Sequence, residues 1–100
     1  GALAASTWDA RRIGYRGTVL QGFAGALIPA GLARAIPEPP DAARPADDVW
    51  ISAHLPVITP VPDARRRMAP LPDPGALQAV GDRDAANRAA ARLAGRWPPL

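Results

Sequence analysis

The chain has 100 residues, one small domain or part of a larger one, and its 12 basic and 9 acidic residues leave a net charge of +3. Cysteine is absent, which excludes a disulfide framework, a thiol nucleophile and a thiolate metal site. A single histidine, His54, excludes a His-based metal cluster and a Ser-His-Asp triad.

All the basic residues are Arg, in a chain rich in Ala and Pro, as codon bias in a GC-rich bacterial genome produces. Residues 1–55 carry five Arg against five acids, and residues 56–100 carry seven against four. Outside Arg65-Arg66-Arg67 the arginines are dispersed, and few aromatics lie near them to stack on bases. A modest basic surface is expected, not a nucleic-acid groove. The first residue is Gly1 and the only methionine is Met68, as expected of a processed, excised or fragmentary chain. The longest apolar stretch, Thr18 to Ile28, is far short of the ~20 residues a membrane-spanning helix needs, so no transmembrane segment is expected.

Gly1 to Ala10 has Trp8 as its only large anchor and no decisive period. Gly17 to Ile28 predicts two short strands or one bent strand, with the glycines of Gly22-Phe23-Ala24-Gly25 marking a bend or a close backbone approach. Leu32 to Ile36 predicts one helical turn. Pro37-Glu38-Pro39-Pro40-Asp41 predicts a loop, because proline removes the donors that helix and central strand require.

Asp47 to Leu55 predicts a helix that Pro56 ends, with Ile51, Leu55 and Ile58 spaced i, i+4, i+7 and Val49 paired with Ala53. Val57 to Val61 predicts an edge strand, and Arg65 to Pro74 an irregular basic connection in which the Arg cluster is a solvated loop or a diphosphate contact. The clearest helix runs from Asp82 or Asp84 to Arg96, about 84–96, with Leu93 and Trp97 as anchors.

The stretch Asp47-Asp48-Val49-Trp50-Ile51-Ser52-Ala53-His54-Leu55 carries the most information. Two carboxylates open a helix, where unpaired N–H groups keep them ionised. One reading is capping, with Asp47 as N-cap contributing about 1 kcal/mol. The other is a general base, an ionised Asp positioned to take the proton of a hydroxyl. Ser52 is expected to bond a carbonyl one turn back, toward Asp48, and His54 to be a solvated helix position.

This acid-acid-x-x-aliphatic-Ser pattern resembles the (E/D)-D-x-x-L-S motif of inverting family 2 glycosyltransferases of the GT-A fold. Gly22-Phe23-Ala24-Gly25 is similar to the glycine-containing segment that lines the sugar site in that family, and the terminal helix with Asn87 and Trp97 extends the likeness to about residues 15–97. The resemblance implies an α/β fold, a partial GT-A-like domain spanning residues 1–100 with the nucleotide-binding half absent. It implies Asp48 as catalytic base and Asp47, Gly22, Phe23 and Gly25 as substrate-binding residues, acting on a nucleotide-sugar donor and a hydroxyl acceptor.

No D-x-D metal motif occurs, Asp82-Arg83-Asp84 sitting too late, and no Q-x-x-R-W, so the implied parent is a non-processive enzyme. Its divalent cation, Mn or Mg, would be bound outside this chain, which alone should not catalyse. A cytoplasmic location, the inner face of the bacterial membrane included, goes with this reading. A rival reading from the same residues is a small basic Pro/Arg-rich interaction module without catalytic activity.

Overall fold

The computed structural model describes residues 1–22, 25–61 and 83–100 of the chain. They form a mixed α/β structure of five short strands and three α-helices among the described residues. Strands β1 (Ala2–Ala4) and β2 (Thr7–Asp9) come first, in the stretch whose sequence carries no decisive period. A 3₁₀ turn, Ala10–Ile13, then leads to β3 (Thr18–Leu20) and β4 (Ala26–Leu27), the two short strands expected around the glycine bend. Helix α1 is Ala30–Ala35, α2 is Asp47–Ala53, β5 is Ile58–Pro60 and α3 is Arg83–Ala94. The expected basic connection, Arg65 to Pro74, lies outside the described residues.

Two small sheets result. β1 is central in the first, antiparallel to β4 (Leu3 opposite Leu27) and parallel to β5 (Leu3 opposite Thr59). β5 is therefore an edge strand, as its prolines require. The second sheet is the antiparallel pair β2–β3, with Trp8 opposite Val19. Period-2 alternation sends Ala2 and Ala4 inward and leaves Leu3 on the outer face beside the exposed Leu27.

Helix α2 joins two apolar clusters. Val49 and Trp50 pack with Val19, Ile13 and the alanines of α3, whereas Leu55 and Ile51 meet Ala2, Ala4 and Leu20 under β1. Among the described residues eight of the fourteen buried apolar ones are alanine, so this core is held by close backbone approach more than by large side chains. The helix is two residues shorter than expected, ending at Ala53. His54 and Leu55 close it with tight i→i−3 bonds to Ile51 O and Ser52 O, and Ile58 belongs to β5 instead of the helix face.

Three further expectations are corrected. The proline-rich loop ends at Pro40, and Asp41–Ala46 is a 3₁₀ helix containing Pro45. Ala43 and Ala46 eclipse at the i, i+3 spacing of a 3₁₀ helix, and both are buried against α3. Asp47 is not an N-cap: Ala46 holds that position, no side chain caps the helix, and Asp47 is exposed in the first turn. Leu93 is no anchor, being 44% exposed; α3 buries Asn87, Ala90 and Ala91, an i, i+3, i+4 stripe of small residues.

Gly95, with φ 65°, ends α3 in the left-handed conformation. The segment beyond it then runs back along residues 14–17. Arg16 N donates to Pro98 O at 2.9 Å, Leu100 N donates to Gly14 O at 3.0 Å, and the Trp97 ring lies on Gly17. No helix among the described residues is long and apolar enough to cross a membrane.

Candidate functional site

Helix α2 lies against β3 and the bend after it, and two side chains one helical turn apart make the connection. Ser52 Oγ accepts from the buried Leu20 N–H at 2.9 Å, and Asp48 Oδ2 accepts from Gly22 N–H at 3.2 Å. The spacings match. One turn of helix rises about 5.4 Å and two residues of extended chain about 6.6 Å, so residues 48 and 52 meet N–H groups two residues apart. The Ser of the motif is thus a strut between helix and strand, reaching across to Leu20 where a local bond toward Asp48 was expected.

The bend is closed by its own backbone. Gly25 N donates to Gly22 O at 3.0 Å, and Gly25 O accepts from Ala5 N at 3.0 Å. Gly25 has φ 94°, a conformation in which any L side chain is strained, so glycine is required there for the turn itself. Gly22 is different. A Cβ on it would lie 3.5 Å from Asp48 Oδ1, an ordinary contact, so packing within the chain leaves room for a side chain. Phe23, an expected substrate-binding residue, lies outside the described residues.

Asp48 opens onto a cavity of about 360 Å³ whose lining also includes Trp8, Arg12, Gln21, Val49, Arg83, Asn87 and a second carboxylate, Asp84. Besides α2 itself, the walls come from β2, the 3₁₀ turn after it, the residue following β3, and α3. Arg12, on the 3₁₀ turn after β2, holds its guanidinium 4.9 Å from the centroid of the Trp8 ring. Gln21 Oε1 accepts from Ser6 Oγ at 2.7 Å, and its backbone N–H donates to Ser6 O. Arg83 bonds the carbonyl of Pro45, and Asn87 is buried on α3.

The half-buried position of Asp48 pushes its pKa above the usual carboxylate value, with desolvation as the largest cause. The Gly22 N–H bond opposes the shift, Asp47 adds to it by like-charge repulsion, and Arg83 opposes it. A carboxylate with raised proton affinity is a better base than an ordinary surface Asp. Of the residues expected to contact substrate, the structure brings Asp48, Gly22 and Gly25 together, while Asp47 stands exposed at the outer side of the helix start.

Trp8, Arg12 and Gln21 were not foreseen at this site. They precede the motif by 27 to 40 positions, and only the pairing of β2 with β3 brings them beside it. His54 is half-buried. Its Nδ1 lies 2.8 Å from Trp50 O, which can only accept, so that nitrogen carries the proton, and the imidazole tilts over the Trp50 ring. It serves the helix end and is absent from the lining of the Asp48 cavity. Comparison with family models, with curated proteins and with solved structures finds no match.

Proposed function

We propose that the chain is the acceptor-side portion of an inverting, non-processive glycosyltransferase of the family 2 type, on a GT-A-like domain whose nucleotide-binding half lies outside it. The observation that carries the reading is the Asp48 carboxylate, with one oxygen tied to the Gly22 amide and its proton affinity raised by burial, opening onto a polar cavity.

In the reaction, an acceptor hydroxyl in that cavity gives its proton to Asp48 as its oxygen attacks the anomeric carbon of the donor sugar. The C1–O bond to the nucleoside diphosphate breaks, the electron pair leaves with the diphosphate, and attack from the opposite face inverts the centre. The amides of Gln21 and Asn87 supply donors and acceptors of the kind that bind sugar hydroxyls. Trp8 offers an apolar ring with Arg12 resting on it, and Arg12 and Arg83 face the two carboxylates, Asp48 and Asp84, across the lining. Asp47, exposed in the first turn of α2 and outside the cavity lining, places a negative charge at the helix start.

The divalent cation of the family does not fit the residues here. Among the described residues no group of three or more His, Asp or Glu side chains could hold a metal, and no step above is routed through one. The test is turnover in the enzyme that contains this chain. Asp48→Asn keeps the size and an oxygen for the Gly22 N–H bond but cannot take a proton at neutral pH. Turnover should fall by about 10²–10⁴-fold with donor affinity unchanged. Retention of more than about a tenth of the activity would remove Asp48 from the role of base.

A further inference from the structure

A second cavity, of about 470 Å³, opens one helical turn farther along α2, where Ser52 and Ala53 form part of its floor. Its walls carry two arginines, Arg16 and Arg96, together with Thr18, Trp97, Pro56 and Val57, and among the described residues no carboxylate lines it. Arg16 and Arg96 are both exposed, and neither forms an ion pair among the described residues. Eighty positions separate them in sequence.

Their convergence is built in. The return of the chain after Gly95 places Arg96 and Trp97 beside residues 14–17, and the bonds from Arg16 N to Pro98 O and from Leu100 N to Gly14 O hold the two segments in register. The Trp97 ring sits where a Cβ on Gly17 would come within 2.5 Å of it, so only glycine allows this approach. With no ion-pair partner for either among the described residues, two guanidinium groups on one cavity both favour an anion between them.

We propose that this cavity binds the phosphate group of a small organic phosphate ester. Two positive charges on separate segments match a dianion better than a carboxylate, which one guanidinium fork can satisfy alone. A tetrahedral phosphate directs oxygens toward both walls at once, with the Thr18 hydroxyl as a further donor. The volume exceeds what phosphate alone would fill, and Pro56, Val57 and Trp97 give the remainder an apolar wall for the organic part of the ligand. The site stands independently of the role proposed for Asp48.

The 100-residue chain is titrated with phenyl phosphate at low ionic strength. The Arg16 and Arg96 Nε–H and Trp97 Nε1–H signals are followed by NMR, with inorganic phosphate and phenol as comparison probes. Saturable binding is expected, with shifts at all three side chains. Phenyl phosphate should bind at least fivefold tighter than inorganic phosphate and tenfold tighter than phenol, and more weakly as salt is raised. Arg16→Gln and Arg96→Gln should each weaken it severalfold and the double variant at least tenfold; both positions are exposed, so circular dichroism should be unchanged. Asp48→Asn should bind as the parent chain does, which separates this site from the catalytic reading. Equal affinity for phenyl and inorganic phosphate, absence of saturation up to about 10 mM, or undiminished binding by the folded double variant would each overturn the assignment.

Discussion

Ser52→Ala is the substitution that most directly tests how the site is assembled. Ser52 is 1% exposed, and its Oγ is bonded to the buried Leu20 N–H. Alanine removes the oxygen and leaves that buried donor without its partner. Leaving a buried donor unsatisfied costs about 1–3 kcal/mol, whereas the change in helix propensity from Ser to Ala returns at most about 0.5 kcal/mol. The net loss is about 0.5–2.5 kcal/mol, which for a domain of this size lowers Tm by roughly 2–20 °C. Thermal and urea unfolding of the chain followed by circular dichroism measures it. The same variant should show faster hydrogen exchange at Leu20 and Gly22 than at the Thr7–Asp9 amides, because the strut holds the strand end and the bend against α2. A stability loss under about 0.5 kcal/mol, or no preferential exchange at those two amides, would refute the strut.

The pH dependence of Asp48 has a definite sign. Its folded pKa is raised, so the folded state favours the protonated form, and its contribution is fully present below the unfolded value of about 4 and lost as pH rises through the folded pKa. Asp48→Asn should therefore be as stable as the parent chain or more stable at pH 7, with the difference shrinking toward pH 4, as pH-resolved melting curves will show; a clear loss at pH 7 would restore a capping role. Gly17→Ala places a methyl within 2.5 Å of the Trp97 ring and should undock the C-terminal segment at a cost of about 1–3 kcal/mol, read as loss of the Arg16–Pro98 amide protection. Trp50→Phe removes the 2.7 Å bond from Nε1 to Pro37 O and leaves that carbonyl unpartnered by the ring, for an expected loss of about 1–2 kcal/mol in urea unfolding.

Much of the framework is legible because it depends on neighbours in the chain. Gly and Pro mark the strand ends around residues 17–29 and place the stop of α2 within two residues of its end at Ala53, since their effect on φ and on donor count is local. The acid pair before an apolar helical pattern marks the start of α2 for the same reason. The 3₁₀ helix at Asp41–Ala46 is misread as loop because two small alanines at i and i+3 carry almost no hydrophobic signal. They become informative only when α3 arrives to bury them. Leu93 misleads in the opposite direction: its hydrophobicity is large, but α3 turns its small residues toward the core, where backbones can approach closely.

The sequence by itself determined that Asp48 would sit at the start of a helix and that a glycine bend would precede it, both local consequences of residue type. Only the tertiary structure decided what that carboxylate meets. The Gly22 amide, the Ser52–Leu20 strut, and the walls contributed by Trp8, Arg12, Gln21 and Asn87 come from strand pairing and helix packing between segments 26 to 79 residues apart. No local propensity encodes those contacts, because each forms only after the Val49–Trp50 face of α2 and the alanine-rich surfaces of α3 and of the 3₁₀ helix Asp41–Ala46 have been brought together by burial of apolar area.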